Sequence, residues 1–329
     1  MKVLGIGEAV VDKIAIAQSL GEPVTLQHDA GGPVLAALIM LSKLGADCTM
    51  VASLGADQEG RIIRKTLQQE RVTLVEHTRA ATKQHTVIIN PDTGERRKFR
   101  GVIEHAPLQG LDAAFIRSFD MVVIDRHERK AFYEVIRHMH SKAELIIDSS
   151  TEVSDFTLDM MQHATCPIIP IEALAELGSG LGLDEALAAG YSVCRKPFVV
   201  TLGPLGSLLY DGQRIEHVPP LVVSSVDTLG AGDIYRGAFA YGRLQGWALR
   251  RCATYANTAA ALQCAKHGNA LAIPDKKTIE ASLTTTLRRS VSLTQITTAF
   301  AALSKPTDPE DQKQPAANGA YSSQLASAQ

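Results

Sequence analysis

SSVDTLGAGDIYRGAFAYGRL, residues 224–244, joins three features in one short stretch. VDT (226–228) reads as strand-like, Gly230-Ala231-Gly232 follow it, and a helix with small residues along one side then opens. Glycines at a helix N-terminus let backbone N–H groups converge on an anion, and the helix dipole adds attraction. Asp233 stands at the opening of that helix, where a carboxylate is placed to take the proton of an attacking hydroxyl. A bare GxGD reads as a glycine-rich turn capped by aspartate. The full string DTLGAGD, Asp227 to Asp233, favours a functional site.

Outward from this stretch, short apolar runs alternate with helical patterns. Strands are expected at Val3–Ile6, Thr49–Ser53, Met121–Asp125, Leu145–Asp148, Ile168–Ile171 and Phe198–Thr201, and helices at Pro33–Leu44, Gln58–Gln69, Arg129–His140 and Asp184–Ala189. Continuously apolar strands separated by helices predict a three-layer α/β/α fold with a mostly parallel sheet covered on both faces. Ligands of such sheets sit at the carboxyl ends of the strands. Two segments break the alternation: residues 13–30 are extended and mixed, and 84–100 read as two strands around the turn Asn90 to Gly94. Together they predict a small β-flap acting as a lid. The helical pattern fades after about residue 285. One domain is therefore expected over 1–285, followed by a largely disordered extension over 286–329, rich in Pro, Gln, Ser and Ala.

Composition sets the outer limits. The 329 residues are 45% hydrophobic and 21% charged, with a net charge of −2. That balance gives no reason to expect nucleic acid or a membrane surface as partner. Cys48, Cys166, Cys194, Cys252 and Cys264 are scattered without CxxC spacing, which reads as small buried hydrophobes in a reducing compartment. Glu8 and Asp12 interrupt the first apolar stretch, so it does not read as a signal peptide, and no run reaches the length of a membrane span. The expected location is cytoplasmic. GIGEAV (5–10) lacks the third glycine of a dinucleotide-binding fingerprint.

With DTLGAGD followed by Ile234-Tyr235-Arg236-Gly237, the chain resembles the ribokinase-like sugar kinases of the PfkB family, with Tyr235 where phenylalanine is usual. The resemblance covers roughly residues 1–285. It implies ATP and Mg2+ as cofactors, with a monovalent cation as an optional addition, and a hydroxyl of a sugar-like small molecule as phosphoryl acceptor. Asp233 would be the base, and Gly230, Ala231 and Gly232 the anion hole for the transferring group. AGGPVLAALIMLSKLGADCTMVASLGADQEGRII (30–63) matches the family's N-terminal signature, which implies that Gly31 and Gly32 approach the acceptor and that Asp12 binds its hydroxyls. LGADQEG (54–60) is assigned structural work.

VTLGPLGS (200–207) matches the family's TxGxxG, which implies Thr201, Gly203 and Gly206 on the nucleotide side, together with Thr228, with Asn257 on a small-residue helix and with Gly268 beyond it. The sequence also departs from the pattern. Ala36 stands where ribokinase-like members usually carry Asn, and Ile171 to Leu174 replace the NxxE element. Glu172 and Asp148 are the remaining candidates for the metal region. These departures, with VVIDRHERKAF (122–132), are similar to the branch that includes sulfofructose kinase, in which Arg126, across an alignment gap, would face an anionic group; its plain alternative is a surface ion pair. Arg96, Arg97, Lys98 and Arg100 either meet an acidic acceptor or ATP phosphates, or blunt an exposed edge strand. Competing expectations are a nucleoside kinase of the same fold, disfavoured by an aromatic content of 5%, and a non-catalytic sugar- or nucleotide-sensing protein. A homodimer through the lid is a further implication of the resemblance.

Overall fold

A computed structural model describes residues 1–16, 25–89, 96–101, 107–151, 153–266, 272–285 and 290–303. Its N-terminal part runs β1 (Lys2–Ile6), β2 (Val10–Ile16), β3 (Thr25–Gly31), α1 (Pro33–Lys43), β4 (Asp47–Leu54), α2 (Gln58–Gln69), β5 (Thr73–Thr78), β6 (Lys83–Ile89) and β7 (Arg96–Arg100). The middle continues with α3 (Ala113–Arg117), β8 (Met121–Asp125), α4 (Arg129–His138), β9 (Glu144–Asp148), α5 (Asp155–His163), β10 (Ile168–Pro170), α6 (Ile171–Gly178) and α7 (Leu183–Cys194). The last part holds β11 (Phe198–Thr201), β12 (Ser207–Tyr210), β13 (Ile215–Val218), α8 (Ala231–Leu244), α9 (Leu249–Cys264), α10 (Lys276–Thr285) and α11 (Leu293–Leu303).

Five strands pair in parallel in the order β5-β4-β1-β8-β9, and β10-β11-β12-β13 extend the layer beside β9. Alternate side chains of each strand enter two separate cores. Val3, Met121, Val123 and Ile146 pack on one face with α1, α8 and α9, whereas Leu4, Ile6, Val122, Ile124, Leu145 and Ile147 pack on the other with α4 to α7. This period of two, on strands apolar throughout, is what two helical layers require. The three-layer α/β/α fold expected from the sequence is the one observed.

The remaining four strands form a second sheet, β3-β2-β6-β7. Its β2–β3 and β6–β7 pairs are antiparallel, and β2 and β6 run parallel. The described parts of 13–30 and 84–100 thus contribute to one small sheet at the edge of the body; the turn expected at Asn90 to Gly94 lies outside the described residues. The LGADQEG segment does structural work: Asp57 caps α2 by accepting from the Gly60 N–H at 2.8 Å, and its other oxygen accepts from the Thr82 N–H at 2.6 Å, at the foot of β6.

Two expectations need correcting. VDT is not a strand; the Val226 and Asp227 N–H groups donate instead to the Cys264 carbonyl, 2.7 and 3.1 Å away, so the segment is a loop tied to the end of α9. The extension beyond residue 285 also includes a described helix, α11. In α11, Ile296, Ala299 and Phe300 lie at helical spacing and are buried in the second core, where Phe300 alone contributes roughly 1.5–3 kcal/mol. The Pro- and Gln-rich composition that suggested disorder belongs to the chain beyond this helix, and residues 304–329 lie outside the described ones. No helix among the described residues is long and apolar enough to cross a membrane.

Candidate active site

The parallel sheet changes direction at β1, which pairs with β4 on one side and β8 on the other. A crevice opens at the carboxyl end of such a strand, because the flanking connections leave in opposite directions. Here the chain passes from Ile6 through Glu8 into β2. Asp125, at the end of β8, holds this connection: it accepts from the Glu8 N–H at 2.7 Å, and burial pushes its own carboxyl well above the usual range. Glu8 in turn pairs with Lys83.

Strand register then brings polar residues together on one face of the small sheet. Asp12 pairs with His85 across β2–β6, and Lys98 pairs with Val87 one row further along β7. Asp12 is 3% exposed; Lys98 Nζ lies 3.2 Å and His85 Nδ1 3.4 Å from its Oδ1. Burial would raise the Asp12 carboxyl, but His85 and Lys98 outweigh it and hold the group below its ordinary value. Gly31 closes the other side. A methyl on it would meet Asp12 Oδ2 at 2.4 Å.

Across the crevice, α1 and α8 pack together and bring the start of α8 to the same place. Gly230 caps α8 at φ 80°, a left-handed conformation that costs glycine least. No side chain caps this end, and the Gly232 N–H has no acceptor among the described residues. Asp233 sits in the first turn with 24% of its side chain exposed. Burial pushes its carboxyl up to about 7; Arg236 and Lys98 pull it down, while Asp148 and Asp12 push it up. Arg236 NH1 lies 3.0 Å from Asp233 Oδ1, and NH2 lies 2.6 Å from Asp148 Oδ1. A carboxylate beside open backbone donors at a helix N-terminus, facing a second buried carboxylate, is equipped to deprotonate a bound hydroxyl next to a phosphate.

Comparisons with known proteins show the family and agree with the fold. The model of the pfkB family of carbohydrate kinases matches residues 2–276. The chain belongs to that family. It is 27% identical over 264 residues to a ribokinase of Bacillus subtilis, covering 78% of this chain and 88% of the relative. It is 25% identical over 318 residues to a fructokinase of Klebsiella pneumoniae, covering 86% and 99%. Among solved structures, a putative ribokinase from Agrobacterium tumefaciens superposes with a TM-score of 0.78 at 21% identity, covering 86% of this chain and 97% of that one. Arabidopsis thaliana ribokinase complexed with ribose and ATP gives 0.74 at 22%, covering 86% and 98%.

In this pfkB chain the remaining residues singled out by sequence fall into distinct surroundings. Thr201 ends β11, and Gly203 and Gly206 bracket the single turn that follows it, with Gly203 open and Gly206 tight against the Val218 carbonyl. Thr228 is exposed in the loop before Gly230. Asn257 is buried, and its amide donates to Ser207 Oγ at 3.2 Å and to the Val218 carbonyl at 3.0 Å, so it fastens α9 to the β12–β13 hairpin. Gly268 lies outside the described residues. Arg126 follows β8, half-buried, with its N–H on the Asp148 carbonyl at 3.1 Å. Ala36, Ile171 and Leu174, the departures from the family pattern, are all buried.

Several participants were not read from the sequence. Arg236 hid inside the signature as an ordinary helical position; its i, i+3 spacing from Asp233 was the available signal. His85 and Lys83 needed the strand register, and Gln263, which donates to the Leu229 carbonyl at 2.9 Å, needed the tertiary fold.

For the implied magnesium, no group of three or more metal-binding side chains occurs among the described residues. Mg2+ commonly takes only one or two carboxylates plus phosphates and water, so a single acid suffices on the protein side. Glu172, in the first turn of α6, has a carboxyl raised by burial and no cation within ion-pair reach among the described residues, which fits such a role. Asp148 already holds Arg236.

Proposed function

We propose that the chain transfers the γ-phosphoryl group of ATP to a hydroxyl of a sugar or sugar derivative, with Asp233 as the base. The observation that supports this best is the placement of the Asp233 carboxylate in the first turn of α8, beside the open Gly232 N–H and across from Asp12. In this reading Asp12 accepts hydrogen bonds from the acceptor and orients it, with Gly31 leaving room for both. Asp233 takes the proton of the attacking hydroxyl, and the amides of Gly230 to Gly232 stabilise charge on the transferring group. Thr201, Gly203, Gly206 and Thr228 line the nucleotide side. Magnesium, when bound with the nucleotide, neutralises phosphate charge, and Glu172 would hold it through water. The small sheet acts as the lid that excludes water, the competing acceptor.

The inner row of the lid carries Asp12, His85, Ile14, Val87 and Lys98, with no Phe, Tyr or Trp among its described residues. This favours a polyhydroxylated acceptor over a nucleoside, whose base would need a flat apolar slot. The outer face exposes Leu26, Ile88 and Phe99, a surface suited to a second copy of the chain, which sedimentation velocity would read out. A cytoplasmic location accords with the reaction's need for ATP.

The deciding experiment is ADP release from the purified chain across sugars, sugar acids, sulfosugars and nucleosides. A sugar or sugar derivative should accelerate it most. A nucleoside as the best acceptor, or no acceptor above background, would overturn the sugar-kinase reading in favour of the nucleoside kinase or the sensor. Lys98→Met should raise the acceptor KM about tenfold, the loss of one charge-assisted contact of about 1.4 kcal/mol, and leave the ATP KM within about twofold. Steady-state kinetics with each substrate varied in turn checks this; an unmoved acceptor KM would remove Lys98 from the site.

A further inference from the structure

We infer that Arg236 is the positioning residue of the base, a guanidinium bridge that holds Asp233 Oδ1 against the end of β9 and leaves Oδ2 for the acceptor hydroxyl. This rests on the reading of Asp233 as the base. Arg236 lies one turn along α8 from Asp233, and its side chain is only 10% exposed. One amino group meets Asp233 Oδ1 at 3.0 Å and the other meets Asp148 Oδ1 at 2.6 Å, so the fork joins two elements of the fold. Nε is buried without a hydrogen-bond partner among the described residues, which leaves the two carboxylates as the fixed points of the group.

The planar guanidinium matters here. Its fork sets direction as well as charge, and a lysine ammonium cannot reproduce two divergent contacts with the same rigidity. Arg236 commits one oxygen of Asp233, and Oδ2 has no hydrogen bond or ion pair among the described residues. NH1 also lies 3.8 Å from where a Gly232 methyl would stand, so the bridge passes directly behind the anion hole. The charged groups facing Asp233 are Arg236 on its own helix, Asp148 from β9, Lys98 from β7 and Asp12 from β2. Arg236 and Lys98 favour the ionised base, and the two acids oppose it.

The test uses the full chain with Arg236→Gln, Arg236→Lys, Asp148→Asn and Asp233→Asn, and two readouts. Carbon-13 NMR of labelled aspartate, assigned through Asp233→Asn, follows the Asp233 carboxyl in the ligand-free protein. ADP release with the fastest acceptor of the panel gives kcat and KM. In Arg236→Gln the Asp233 titration should move up by about one pH unit or more. Its kcat at neutral pH should fall at least about tenfold with the ATP KM little changed, Arg236→Lys recovering part of both. Asp148→Asn, which keeps a neutral acceptor for Arg236, should move the titration down. It also preserves the test should Arg236→Gln fail to fold. An unmoved titration in these variants overturns the inference, whatever the turnover. If Asp233→Asn is inert while Arg236→Gln turns over and titrates like the parent, this inference alone fails. If Asp233→Asn turns over normally, the base reading itself fails.

Discussion

Asp233→Asn is expected to lower kcat by about a thousandfold, in the middle of the range for loss of a general base, while ATP affinity stays within about threefold. Asparagine has the same shape and can still accept from Arg236, so the first turn of α8 and its open amides persist. What disappears is the ability to take a proton. The same carboxyl sets the pH dependence. Because burial lifts it to about 7, the parent's kcat/KM should fall on the acid side as Asp233 becomes protonated, approaching tenfold per pH unit below that point. The direction follows from the role, since a base works only when deprotonated. Stability runs the opposite way. A carboxyl whose folded pKa lies above its unfolded value favours folding at low pH and loses that contribution as pH rises through about 7. Asp233→Asn should therefore melt no lower than the parent at pH 8. Steady-state ADP release, calorimetric titration of a non-hydrolysable ATP analogue and thermal melts check the three parts. A variant within tenfold of parental kcat would remove Asp233 from the role of base.

Gly32→Ala should strike the fold itself. Gly32 stands between β3 and α1 at φ 119° and ψ 141°, a conformation open to glycine and strained for any other residue, by about 1–3 kcal/mol. A methyl group there would also meet the Glu8 carbonyl oxygen at 2.2 Å, a backbone atom of the β1–β2 connection with no rotamer to escape into. Overlap of that kind typically costs about 1–3 kcal/mol more. Against a total stability of about 5–15 kcal/mol, the sum is a large share. Urea unfolding followed by circular dichroism should show a lowered midpoint with an unchanged slope. A loss below about 1 kcal/mol would mean that the β1–β2 connection yields to the methyl group, against the mutual overlap cost set out above.

Much of this molecule was legible before any coordinates. Met121–Asp125 and Phe198–Thr201 were delimited as observed, because apolar strands in a covered parallel sheet announce themselves by continuous hydrophobicity. DTLGAGD located the helix start, since glycine and a first-turn acid are local signals. What failed was what depends on distant chain. The loop 226–228 looked extended from its composition, yet its N–H groups are claimed by a carbonyl on α9. The buried face of α11 rests on Ile296, Ala299 and Phe300, with Leu303 packed beside them, too brief to stand out beside a polar tail. Lys98 read as one of several basic residues on an edge strand, and its contact with Asp12 exists only through two strand registers in sequence. Arg236 carried one local signal, its i, i+3 spacing from Asp233, but its second partner, Asp148, lies at the end of β9 and is brought there only by the tertiary fold.

The two halves of the small sheet differ in how they are attached. β2 continues from β1, and β3 runs through Gly32 into α1, so the segment carrying Asp12 and Gly31 is inseparable from the body. The β6–β7 pair enters from a loop after β5 and joins β2 by strand pairing and by the Lys83–Glu8 and Lys98–Asp12 ion pairs, and it supplies His85 and Lys98 to the same row. Evolution and engineering therefore meet two kinds of material at one site. On the proposed reading, the framework part sets where an acceptor lies, and substitutions of His85 and Lys98 on β6 and β7 are expected to alter acceptor preference while leaving the start of α8 untouched.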